Sequence, residues 1–129
     1  LLFGKKKLSE TERGRKMAEC KIPGHIAYEL DCRAENTPDL NIVTFENGDF
    51  AEEVLTYGGI VTQGRKVARL LMNAGIGKGD TFALLMRNHP EFLYALYAAT
   101  MLGAVMIPVD PRVKGDRLKY VLKDSRAKG

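Results

Sequence analysis

Apolar positions along this chain form short blocks whose spacing switches from helical to extended and back. Residues 1–24 show no clear period and end in the breaker Ile22-Pro23-Gly24. Between His25 and Asn36, Ile26, Ala27 and Leu30 recur at helical spacing, with the stem of Arg33 on the same side. Thr37-Pro38-Asp39 stops that helix. Ile42–Phe45 alternates and is rich in β-formers, and Asn47-Gly48 supplies a tight turn. Val54–Thr56 can return as the second strand of a small hairpin. Asp49, Glu52 and Glu53 lengthen the connection and leave its register open.

Thr56 is placed to cap a helix that runs to Asn73 or Ala74. Ile60, Gly64, Val67, Leu71 and Ala74 share one face of it, away from Arg65, Lys66 and Arg69. Gly58, Gly59 and Gly64 each cost such a helix about 1 kcal/mol relative to Ala. Gly64 on the apolar stripe therefore signals either close packing or simple drift.

Gly75-Ile76-Gly77-Lys78-Gly79-Asp80 turns the chain into Thr81–Met86, an apolar run suited to a strand buried on both faces. Asn88-His89-Pro90-Glu91 opens the next helix, with Asn88 as cap, Pro90 in the first turn and Glu91 completing a capping box. It runs to Leu102, with Gly103 just past its end. Ala104–Val109 is the following strand, its Pro108 at the exit or at an unpaired position. Asp116–Ser125 is amphipathic and is expected to bury Leu118, Val121 and Leu122. Strand, helix and strand with tight connections make a βαβ unit, which predicts parallel strands and a right-handed crossover. The last helix should lead into another parallel strand. The fold class is α/β: a mostly parallel sheet flanked by helices, with a small hairpin.

Composition narrows this picture modestly. With 45% hydrophobic and 28% charged residues the 129-residue chain reads as about one globular domain, not a disordered segment. Its +4 charge is confined to residues 1–24, where seven Lys/Arg face three Glu; the other residues balance. This divides the chain into a basic leading arm, 1–24, and a domain, 25–129. The arm is either a solvated segment or a patch that docks on nucleic acid or anionic lipid. Cys20 and Cys32 lack metal or redox spacing, so free thiols in a reducing cytoplasmic compartment are expected. No run reaches the roughly 20 apolar residues of a transmembrane segment, and no targeting signal is visible. The sequence lacks an initiator Met and stops just after a helical pattern, so a fragment is expected.

Several chemistries are excluded. The GxGxG within residues 75–79 precedes a strand, whereas a dinucleotide fingerprint must follow one so that a helix N-terminus faces the pyrophosphate. Lys78 lacks the surroundings of a Walker loop, leaving a surface turn. His25 and His89 have no partners at metal-ligand spacing, and no nucleophile triad can be assembled. The chain is expected to hold no catalytic residue and no metal ligand.

Residues 55–60, LTYGGI, resemble the first core motif of the adenylate-forming, AMP-binding superfamily that includes the acyl-CoA synthetases. Residues 101–112, MLGAVMIPVDPR, resemble its second. Residues 74–104 have the order and spacing typical of acyl-CoA synthetases, and LKYVLKDSRAK (118–128) resembles the following helix. Gly58-Gly59 departs from the usual polar pair, and the leading arm has no counterpart. The resemblance covers about four-fifths of the chain. It implies the truncated first α/β subdomain of an N-terminal domain, belonging to an acid–CoA ligase of fatty-acid metabolism. Such an enzyme uses ATP and Mg to make an acyl-adenylate and passes the acyl group to CoA. The phosphate loop, ribose-binding Asp and catalytic Lys would lie beyond residue 129, leaving this piece inactive alone.

One candidate site remains. Ligands of parallel sheets gather beyond the carboxyl ends of the strands. Asp110, Pro111 and Arg112 emerge there, with Arg87 and Asn88 on the same edge. The resemblance implies an approach to the CoA nucleotide, with Arg112 on a phosphate; alternatively Asp110 caps the loop and Arg112 pairs with a neighbouring carboxylate. The partners implied are a carboxylic-acid substrate and CoA, and self-association into a homo-oligomer is compatible. Two rival functions stay open: an adenylation domain loading a carrier-protein thiol, and a non-enzymatic interaction module using the basic arm.

Overall fold

The computed structural model describes residues 24–46, 48 and 51–129. Residues 1–23 of the expected basic arm, Cys20 among them, and most of the hairpin turn lie outside them. The described chain begins with helix α1 (Ile26–Asn36), a hairpin of β1 (Asn41–Phe45) and β2 (Glu53–Thr56), and helix α2 (Tyr57–Asn73). Strand β3 (Thr81–Leu85), helix α3 (Pro90–Leu102), strand β4 (Val105–Val109) and helix α4 (Gly115–Asp124) follow. None of these helices is long and apolar enough to cross a membrane.

The hairpin register, open in the sequence, is Val43 opposite Leu55 and Phe45 opposite Glu53, with an irregularity between Asn41 and Val43. The Thr56 hydroxyl accepts a bond from the Gly59 N–H at 3.1 Å, so the expected cap forms. The first glycine of the pair that departs from the resemblance, Gly58, sits against Pro38. A Cβ on Gly58 would lie 3.1 Å from Pro38 O and 3.2 Å from Pro38 Cβ, and the Gly58 N–H donates to that same carbonyl at 2.9 Å.

β3 and β4 are parallel, Thr81 to Val105 through Leu85 to Val109. On the far side of β3, Lys128 N–H donates to Thr81 O and Ala83 N–H donates to Gly129 O, both at 2.7 Å. Residues 128–129 thus run alongside β3 in the parallel sense, where a further parallel strand was expected, though no strand forms there among the described residues. β4 is then an outer strand among the described residues, where Pro108 leaves no inner ladder bond unmade. Gly103 ends α3 at φ 66°, the left-handed conformation expected of it. Thr100, which interrupts the apolar run of α3, returns its hydroxyl to Leu96 O and Tyr97 O.

Two cores meet along α3. One joins Ala27, Leu55, Ile60, Val61 and Tyr97; the other joins Ile76, Phe82 and Ala99. The close-packing reading of Gly64 holds. A Cβ there would collide with Tyr97 Cδ1 and sit 3.0 Å from Cγ.

Four expectations need correction. Ile26 is 52% exposed, because α1 turns Ala27 inward instead. On α2 the buried positions are Ile60, Val61, Gly64 and Ala68, so the stripe is rotated toward Val61, and Ala74 is exposed. α4 buries none of its residues fully; Leu118, Val121 and Leu122 are half-buried. β3 is not buried on both faces, since Phe82 packs under α3 while Leu85 remains 43% exposed.

Candidate functional site at the carboxyl ends of the parallel strands

β3 and β4 both end at the same edge of their sheet, and the chain leaving each forms one wall of an open cleft. Met86, Arg87 and Asn88 come from the β3–α3 turn; Pro108, Val109, Asp110, Pro111 and Arg112 come from the end of β4 and its loop. The cleft holds about 550 Å³. Val109 closes its floor at 6% exposure, while the polar side chains stand at the rim. The structure therefore brings Asp110, Pro111, Arg112, Arg87 and Asn88 together, as the topology requires. Met86, Pro108 and Val109 complete the lining; only strand pairing could have added them.

Asp110 organises the β4 loop. Its Oδ1 accepts the Arg112 backbone N–H at 2.9 Å. Arg112 Nε and Nη2 then close on the same carboxylate, Nη2 to Oδ2 at 2.6 Å. These bonds from Arg112, first the side chain and then the backbone, pull the Asp110 carboxyl down to about 2. The pair is exposed, 87% at Arg112 and 43% at Asp110, so incoming anions can compete with Asp110 for the guanidinium. Arg87 supplies a second exposed cation on the opposite wall. Two arginines with an apolar floor can recognise a phosphate-bearing group. No group of three metal-capable side chains occurs among the described residues.

The helix cap next to this cleft differs from expectation. His89 is the residue before α3, extended at φ −133° and ψ 158°, with no side-chain cap bond; Pro90 is the first helical residue. A proline ring disfavours the helical region for the residue before it, and His89 is extended here, so the helix starts at Pro90 and Asn88 is not its cap. Asn88 instead lies on the cleft wall.

A second polar cluster, missed in the sequence, lies where the three longer helices meet. Tyr97 Oη donates to Asp31 Oδ1 at 2.6 Å, and Arg65 Nη2 donates to the same oxygen at 3.1 Å. Burial, followed by the bond to Asp31, pushes the Tyr97 hydroxyl well above the ordinary tyrosine range. The available signal was a tyrosine on an apolar helix facing a glycine on another.

Comparison with known proteins decides the family: residues 30–129 match the AMP-binding enzymes. This chain belongs to that family. The long-chain-fatty-acid–CoA ligase FadD13 of Mycobacterium tuberculosis (strain ATCC 25618 / H37Rv) is 34% identical over 104 residues, 81% of this chain and 20% of that protein. Bacitracin synthase 3 of Bacillus licheniformis is 31% identical over 96 residues, 74% of this chain and 1% of that protein. Among solved structures, the inhibitor-bound N-terminal domain of FACL13 from Mycobacterium tuberculosis superposes with a TM-score of 0.72. Identity there is 34%, covering 81% of this chain and 25% of that one. The chain thus spans a fifth or less of these two curated relatives. The adenylate-forming resemblance and the α/β fold class read from the sequence both stand, and the likeness falls on N-terminal domains.

Proposed function

We propose that this chain is the opening α/β subdomain, residues 25–129, of a cytoplasmic acid–CoA ligase. The observation carrying this reading is the cleft at the carboxyl ends of two parallel strands, with Arg87 and Arg112 on opposite rims. In the whole protein a substrate carboxylate oxygen attacks the α-phosphorus of ATP, and pyrophosphate departs. The CoA thiol, giving up its proton, then attacks the acyl carbon, and AMP leaves where a free acid would have to expel hydroxide. Asp110, Pro111 and Arg112 line the approach of the CoA nucleotide, Arg112 exchanging its Asp110 partner for a phosphate. The residues present fit one rim of an anionic ligand. ATP and Mg are expected to be held by the rest of the protein, and the 129 residues alone to be inactive.

Incubating the whole protein with ATP, Mg²⁺, CoA and a panel of short, medium, long and aryl acids tests this. Pyrophosphate and AMP release with a CoA thioester is expected for at least one acid; silence across the panel overturns the reading. A second reading is favoured by the similarity to bacitracin synthase 3: an adenylation domain that loads a carrier-protein thiol. Acyl-adenylate formation without CoA thioester, together with transfer to a pantetheinylated carrier, would select it. A docking role for the basic arm is separate, and salt-dependent retention on heparin that is lost on deleting residues 1–24 would establish it.

A further inference from the structure

α3 is the element through which both cores and the cleft are connected. Its Tyr97 belongs to the core shared with α1, the hairpin and α2, and Ala99, two residues on, belongs to the core under the sheet. Its first turn follows directly from the cleft wall: only Met86–His89 separate β3 from Pro90. Its last turn passes through Gly103 and Ala104 into β4, which ends at the opposite wall. Any shift or rotation of α3 is therefore delivered to both walls, with little loop to absorb it. Seven residues, about 10 Å of helix, separate Tyr97 from Pro90.

What fixes α3 is unusually specific. Tyr97 is the one large side chain fully buried among the described residues. Its ring sits where Gly64 leaves no Cβ, which sets the helix separation. That contact is made by the ring alone and carries no directional bond. The hydroxyl supplies a directional contact, a 2.6 Å bond to Asp31 Oδ1 on α1, and Arg65 of α2 donates to that same oxygen. A phenylalanine would fill the same volume, so the hydroxyl is not needed to fill the core.

We infer that Tyr97, with Asp31 and Arg65, is a positioning cluster that sets the placement of α3, and through it the two walls of the cleft. Its relevance to CoA rests on the functional reading above, whereas the positioning itself does not. The test compares the whole protein with Tyr97→Phe and Asp31→Asn by hydrogen exchange and by steady-state kinetics. Tyr97→Phe should raise exchange of the amides of residues 87–92 and 109–113 at least fivefold, while the centre of α2 changes less than twofold. It should also raise KM for CoA threefold or more, with kcat within twofold. Asp31→Asn, whose amide oxygen can still accept from Tyr97, should retain most of the wild-type protection. A uniform rise in exchange, or one confined to α1, would show a merely structural bond and overturn the inference. So would localised exchange with an unchanged KM for CoA in a protein that makes CoA thioesters. If the wild type makes no CoA thioester, the functional reading falls, and the exchange pattern alone decides the positioning claim.

Discussion

At the residue scale, two contacts carry the most testable content. Gly64 faces the Tyr97 ring with no room for a methyl group. Gly64→Ala should therefore destabilise the protein by about 1–3 kcal/mol through overpacking, despite the better helix propensity of Ala. A urea midpoint that did not fall would mean the ring has somewhere to go. Asp110 titrates near 2 because Arg112 holds its charged form. Its folded value lies below the ordinary 3.8, so the contribution is present above that value and is lost as pH falls from there through about 2. Arg112→Ala should move the carboxyl titration, followed by NMR, up toward 3.8. The Tyr97 hydroxyl has the opposite sign. Its raised value favours the folded state below pH 10 and withdraws that support as pH climbs above it. Wild type should lose stability in that range more steeply than Tyr97→Phe. The sequence placed Asp110 and Arg112 on the right edge and offered Asp110 as loop cap with Arg112 on a neighbouring carboxylate; the structure has that arrangement, with Asp110 itself as the carboxylate.

At the element scale, local chemistry was legible wherever one residue decides the outcome. Thr56 caps α2 as its hydroxyl allows, and Thr56→Ala should lower stability by about 1 kcal/mol in thermal unfolding. Gly103 takes the left-handed conformation that ends α3 and opens β4, and its added Cβ would also press on Lys78 Cγ at 3.3 Å. The error at Asn88 arose from weighing cap preference above the constraint of Pro90. The proline prevails because its ring clashes with a helical His89 and pushes that residue to the extended region, one position past Asn88. The rotated stripe of α2 and the half-covered α4 are a different kind of miss. Periodicity defines an apolar arc, but neighbouring elements decide which part of the arc is covered.

At the scale of the whole molecule, α3 ties the hairpin core to the sheet core, so the two should unfold together. Amides in α2 and in β3, followed by exchange through a urea titration, should report coincident midpoints; separate midpoints would mean that the cores are independent. The order of strand, helix and strand, the parallel direction, the caps at Thr56 and Gly103 and the edge bearing Asp110–Arg112 were determined by the sequence itself. Each follows from periodicity, turn chemistry or the connection lengths, all of which are local. The hairpin register, the Pro38 contact that requires Gly58, the Asp31–Arg65–Tyr97 junction and the pairing of Asp110 with Arg112 were decided by tertiary structure alone. Each joins groups whose meeting depends on backbone paths or helix orientations that no local pattern encodes, and short-range bonds of about 3 Å form only after packing has set those paths.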